Sequence, residues 1–396
     1  MGFSNNLLSD FEIKDGVLVE YKGKFGNVVI PKSVTSIGEK AFSGCTSLRR
    51  VKIGDSVESI KAGAFKGCES LQSIIIGDSV KGIGYYAFVG CTSLQSITIG
   101  DSVKSIGEEA FYGCTSLKQI NVEEGNASYI SIDGNLYTKD RQTLVQYAVG
   151  KQDTSFTIPD SVKSIWDGAF SKCTSLRSIT IGDTVKSIGD YAFSRCISLQ
   201  SIIIPNSVKS IGEGAFDGCT SLASVIIGNS VKSIGEWAFA KCTSLQSITI
   251  GDSVESIGDW AFSGCENLKT VYNLSKLDIV KDSDTHGFVA KYATNVYTDF
   301  DIQNGVLVKY KGKGGNVVIP NTVKSIGRVA FYGCQSLTNV TIPNSVESIG
   351  RVAFYGCWNL KTVYNLSKLN IVKGSATHGF VAKYATNVYT ELPDNN

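Results

Sequence analysis

Ala87-Phe88-Val89-Gly90-Cys91-Thr92-Ser93-Leu94-Gln95-Ser96-Ile97-Thr98-Ile99-Gly100-Asp101-Ser102-Val103-Lys104-Ser105-Ile106-Gly107-Glu108-Glu109 decides the fold, because Ala110-Phe111 then begins the same phrase again. The cysteines show how far the phrase extends. They stand at 45, 68, 91 and 114, then at 173, 196, 219, 242 and 265, then at 334 and 357. Within each group the step is 23, and the interval from Cys265 to Cys334 equals three such steps. The interval from Cys114 to Cys173 is one step plus 36. Ala-Phe precedes every cysteine and a leucine follows it at the third position, which gives eleven copies. A period in this range is the mark of a stacked-repeat architecture.

One copy has a simple physical reading. Leu94-x-x-Ile97-x-Ile99 ends in period-two alternation, a short strand with one buried face. Gly100-Asp101 turns the chain, and Val103-x-Ser105-Ile106-Gly107 buries two more aliphatics. Ala110-Phe111 and Cys114 have helical spacing over about two turns, too short to stand alone. No copy can bury its own apolar face, so neighbours must stack, with strands at about 4.8 Å per rung forming a parallel sheet.

A 23-residue period with L-x-x-I/V-x-I, A-F-x-G-C-x-S-L and V-x-S-I-G resembles the BspA-like leucine-rich repeats of bacterial surface proteins. The resemblance covers most of the chain. It implies an α/β repeat fold: a right-handed leucine-rich-repeat solenoid with a parallel sheet on its concave side, short convex helices, and β-hairpin caps and inserts. It also implies a secreted or surface-attached protein that adheres to other proteins, with an extracellular or cell-surface location.

Three segments break the period. Residues 10–31 return at 299–320 with 17 of 22 positions identical, and their alternation around Asp15-Gly16 and Lys22-Gly23 predicts β-hairpins. Residues 268–298 return at 360–390 with 28 of 31 identical. Ile132-Asp133-Gly134-Asn135-Leu136-Tyr137, inside the third break, follows the pattern of the first hairpin. The expected order is a hairpin cap (1–31), four repeats (32–120), a hairpin insert (121–158), five repeats (159–270) and a closing module (271–298). A second hairpin cap (299–320), two repeats (321–362) and a second closing module with its tail (363–396) follow. The even spacing favours one continuous solenoid over two units. Residues 299–396 carry 10 basic and 5 acidic side chains, against 28 and 31 in 1–298.

Composition narrows the functions. At 42% hydrophobic, 19% charged and net charge +2, the chain is neither disordered nor matched to a nucleic-acid backbone. No apolar run is long enough for a transmembrane segment. Met1-Gly2-Phe3-Ser4-Asn5-Asn6 lacks the basic and apolar regions of a signal peptide, which fits a cytoplasmic chain or a segment without its leader. Eleven cysteines cannot all pair, and in-register side chains suit stacking as small hydrophobes, an arrangement compatible with a reducing setting. His286 and His378 hold matching places in the closing modules, but Asp282 and Asp284 become Gly374 and Ala376, so structure rather than metal binding is expected there. Lys311-Gly312-Lys313-Gly314-Gly315 lacks P-loop spacing and precedes a strand, so it reads as a hairpin turn. No catalytic, metal or cofactor-binding pattern stands out, so an enzyme is not expected; a glycan-cleaving enzyme is weakened further because no paired carboxylates recur outside turns.

With the core fixed in every copy, binding must be written in the variable outward positions. On the strand face these include Ile75, Ile203, Ile226 and Tyr272. A second column just before Ala-Phe holds Tyr191, and Trp237 and Trp260 on adjacent rungs. Packing against the neighbouring rung is the plainer reading of that column; exposed neighbouring aromatics are otherwise a mark of protein or sugar binding. The sequence therefore points to a non-enzymatic surface or secreted binding protein, its partner a protein or a cell-surface glycan. The alternative is a spacer that displays another domain. The oligomeric state is open.

Overall fold

The computed structural model describes residues 8–312 and 314–392. The outermost residues of the first hairpin cap and of the C-terminal tail, and Lys313, lie outside the described residues.

Each copy makes one three-sided coil. The first side is the strand foreseen in the sequence: Ser96–Ile99 pairs in parallel with Ser73–Ile75 on one flank and Gln119–Val122 on the other, each residue opposite its repeat equivalent. The second side is a two-residue strand, such as Ser105–Ile106 on Gly82–Ile83. Stacked serines link this side, with Ser36 Oγ 2.8 Å from Ser59 Oγ and Ser164 Oγ 2.9 Å from Ser187 Oγ. The glycine after each Ser-Ile pair lets coils touch at the corner: a Cβ on Gly235 would lie 2.6 Å from the Gly212 backbone.

The third side corrects the expected convex helices. It is a run of turns, and the described residues contain only three short 3-10 segments. Helical bonding would consume its amides within the segment. Instead they reach the next coil: Phe88 N–H donates to Ala110 O at 2.8 Å and Gly90 N–H to Tyr112 O at 2.9 Å. Left-handed residues enforce this, at Tyr86 (φ 57°) and again at Gly90 (φ 73°). Two such residues four apart are incompatible with an α-helix.

The core is a set of ladders. Phe170, Phe193, Phe216 and Phe239 are fully buried, with neighbouring ring centroids 4.9–5.1 Å apart. All eleven cysteines are free, nine of them buried. Most donate to the Phe carbonyl one rung back, as Cys91 Sγ does to Phe65 O at 3.1 Å.

The ladders fall into three blocks, each opened by a hairpin. Phe11–Lys14 pairs with Val17–Tyr21, Tyr129–Ile132 with Asn135–Thr138, and Phe300–Gln303 with Val306–Tyr310, all antiparallel. Their turns are Asp15-Gly16, Asp133-Gly134 and Asn304-Gly305, with φ of 49° and 78°, 51° and 74°, and 50° and 78°. Both central residues have positive φ, as a type I′ turn demands. Tyr21, Tyr147 and Tyr310 then cap the three phenylalanine ladders, 5.0, 5.1 and 5.1 Å from Phe42, Phe170 and Phe331. The insert holds one strand more than a hairpin, Thr143–Gln146, which carries its ladder on to Ser164–Ile165.

Lys22-Gly23 and Lys311–Gly315 are corners rather than hairpin turns. The strands on either side belong to different ladders: Val17–Tyr21 pairs with Ser36–Ile37, and Asn27–Val29 with Arg50–Lys52. The closing modules end the ladders, with Asn295–Tyr297 on Thr270–Asn273 and Asn387–Tyr389 on Thr362–Asn365. His286 and His378 sit at positive φ in 3-10 turns, and Gly287 O and Gly379 O accept the Phe262 and Phe354 amides at 2.7 and 2.8 Å. The strand ladders do not run through the junction near residue 298, so the expected continuity is broken there at the level of hydrogen bonding.

Candidate functional site

The turn side presents the aromatic column. Tyr191, Trp237 and Trp260 have φ of 53°, 51° and 51°, where the equivalent positions on other coils are Gly63, Gly168 and Gly214. A left-handed backbone costs a side-chain-bearing residue roughly 1–2 kcal/mol that glycine does not pay. The two tryptophans stack, ring centroids 5.8 Å apart and planes 25° from parallel. They stay 38% and 44% exposed.

Tyr191 leans over Gly214, whose missing Cβ makes room for the ring, and its hydroxyl donates to the Glu213 carboxylate. Burial first, then Glu213, pushes the Tyr191 phenol well above its ordinary value. Between Tyr191 and Trp237 lies a groove of about 320 Å³, lined also by Asp217, Ala240, Lys241 and Ser263. Burial raises the Asp217 carboxyl, while Lys241 and Arg195 pull it back. The groove thus offers aromatic faces, an acceptor, a cation and a hydroxyl.

Beside the aromatics runs a carboxylate column that sequence reasoning missed. Asp190 N–H donates to Asp167 Oδ1 and Glu213 N–H to Asp190 Oδ1, both at 2.7 Å. Burial, then the Asp190 and Glu108 charges, raises Asp167. The signal was present: the residue before the aromatic column is acidic at 108, 167, 190, 213, 236 and 259. A further missed cluster lies on the second unit, where Tyr332 stacks on Tyr355 at 5.6 Å and Trp358 meets Tyr384 edge-on at 4.9 Å.

The strand-face candidates part company. Ile75 and Ile203 are 45% and 60% exposed and free to meet a partner. Ile226 is half-buried at a crevice shared with Asn304, Gly305, Thr322 and Lys324 of the second unit. Tyr272 is buried, and its place as a partner-binding residue is corrected: its ring packs 5.4 Å from Tyr297 and 5.8 Å from Phe300. The second unit covers the end of the strand face and occupies that tyrosine. The structure does not bring the strand-face isoleucines and the tryptophans together, since they lie on different sides of the coil. Among the described residues no three His, Cys, Asp or Glu side chains gather where a metal could sit, and no helix is long and apolar enough to cross a membrane.

Several solved structures share this architecture. A leucine-rich repeat protein from Eubacterium ventriosum is 23% identical over 92% of each chain, with a TM-score of 0.56. One from Bacteroides ovatus is 28% identical over 91% of this chain and 94% of that one, TM-score 0.46. A leucine-rich cell surface protein from Faecalibacterium prausnitzii is 25% identical over 71% of this chain and 89% of that one, TM-score 0.44. No curated protein sequence matches the chain. The sequence profile of the BspA type leucine rich repeat region matches residues 12–139, 149–281 and 309–378, one stretch for each hairpin-opened block. With most of its length matched in this way, the chain belongs to the BspA-type leucine-rich repeat family.

Proposed function

We propose that this chain is a non-enzymatic protein of the cell surface or extracellular space that binds a protein partner through its solenoid, with Tyr191, Trp237 and Trp260 as the contact edge. One observation carries the reading. The chain keeps large aromatics at left-handed positions that sibling coils fill with glycine, and leaves the two tryptophans about two-fifths exposed. Strained residues held at a surface site are where function is to be sought. Half-exposed tryptophans beside a groove with charged and hydroxyl groups have the composition of a binding hot spot. A surface location is what BspA-type repeats imply, and no feature of the site calls for a reaction.

The test is a binding screen of the chain against extracellular matrix proteins, mucins and cell-surface glycans, with a Trp237→Gly/Trp260→Gly variant beside it. Glycine suits the backbone at both positions, so the variant removes the rings without adding strain. A protein captured by the parent and lost by the folded variant supports the proposal. Capture unchanged in the variant moves the site to the strand face around Ile75 and Ile203. Capture of glycans alone changes the partner class, and capture of nothing favours the spacer.

A further inference from the structure

The chain contains the same joint in three conditions: made once, and left open twice. Where 271–298 meets 299–320, the stacked pair Tyr272 and Tyr297 receives the hairpin at Phe300, with Tyr297–Phe300 ring centroids at 6.4 Å. Each half has a duplicate elsewhere. Tyr364 and Tyr389 repeat the tyrosine pair, 5.6 Å apart and 23° from parallel against 5.4 Å and 21°. Phe11 and Tyr21 repeat Phe300 and Tyr310, at 5.2 Å and 48° against 5.3 Å and 49°. The two halves are therefore shaped alike wherever they occur.

Their burial differs as an uncovered joint should. Tyr272 is 5% exposed under the second unit, whereas its duplicate Tyr364 is half-buried and Tyr389 is 45% exposed. On the hairpin side, Val318 lines the crevice against Thr249 and Tyr272, and its duplicate Val29 stands 39% exposed. The net charges also attract: residues 299–396 hold 10 basic and 5 acidic side chains, residues 1–298 hold 28 and 31.

We propose that the closing face at Tyr364 and Tyr389 of one copy receives the opening hairpin at Phe11 and Val29 of a second copy. The occupant is fixed by the internal joint, which already shows this hairpin on this face. Because two different surfaces meet, the contact is heterologous and propagates head to tail. In the chain itself Tyr297 and Phe300 are tethered through Thr298 and Asp299 alone, so the joint forms at high effective concentration. Between copies it has no tether and must be weaker. It is also weakened by salt, which screens the attraction between the units.

Sedimentation from micromolar to millimolar concentration tests this. The mean mass of the parent chain is expected to rise continuously, and less so at high salt. Tyr364→Ser/Tyr389→Ser blocks the closing face and Val29→Glu blocks the hairpin, so each variant alone stays monomeric. Mixed together, each still offers one good end, and the mixture stops at dimers. Tyr389→Lys, at an exposed ring, serves if the double variant melts early. A parent that stays monomeric throughout overturns the proposal. So does association that survives in both blocked variants, or blocked variants that fail to pair when mixed.

Discussion

Phe216 shows what a repeat does to a single residue. Its ring is fully buried and sits 5.1 Å from both Phe193 and Phe239, so it completes two contacts of one ladder. Phe216→Ala leaves a cavity that neighbouring coils, fixed by hydrogen bonds on three sides, cannot collapse. The expected cost is about 3–5 kcal/mol, read by denaturant titration. The cysteines carry a second residue-scale prediction. Burial pushes Cys45 to about 11 and Cys357 to about 12, and drives Cys196 and Cys242 well above the ordinary thiol range. Thiolate is the reactive form, so a thiol reagent at pH 8 should label the native chain slowly and all eleven sites promptly once it is unfolded. Fast labelling of buried positions in the native state would contradict the packing. Cysteine was legible as a buried column; its bond to the Phe carbonyl one rung back was not, since no spacing announces a thiol donor.

At the scale of elements, the strands were readable and the turn side was not. Ile97 and Ile99 alternate with outward residues, and alternation has one meaning when stacking supplies the partners. Ala110, Phe111 and Cys114 fall at helical spacing, but spacing cannot tell intrasegment bonds from bonds to the next coil. The deciding clue was Gly63, Gly168 and Gly214 in the aromatic column, which marks a left-handed site. The same register brings Asp167, Asp190 and Glu213 together, and this has a consequence for pH. Burial and neighbouring carboxylates raise Asp167 and Glu109 above the ordinary range. A carboxyl raised in the folded chain holds its proton more tightly folded than unfolded. Stability should therefore increase as pH falls from neutral through the raised folded values, and this gain is complete below the ordinary carboxylate range. Asp167→Asn keeps an acceptor for the Asp190 amide and removes one charge. Thermal melts should show the variant less dependent on pH in that window; an unaltered slope would mean that other groups govern it.

For the whole molecule, the cores decide how it comes apart. Trp166 packs against both the first and the second apolar cluster, so the blocks before and after the insert share a boundary residue and, at Tyr147, a continued ladder. The third cluster draws only Tyr272, Leu274 and Tyr297 from the chain before the second hairpin cap, and no strand ladder crosses into it. Even cysteine spacing across the junction made continuity the natural expectation, because spacing records repeat length and is blind to whether amides bridge the gap. In a stacked array, stability is close to a sum of unit and interface terms, and a weak interface separates cooperative units. The chain should therefore unfold in two steps on heating, a smaller one for 299–392 and a larger one for the rest. Phe331→Ala, at the foot of the short ladder, should lower the smaller step and leave the larger near its place. Phe216→Ala should do the reverse. Calorimetry of the two variants checks this, and a single transition displaced equally by both would show that the junction transmits stability in full.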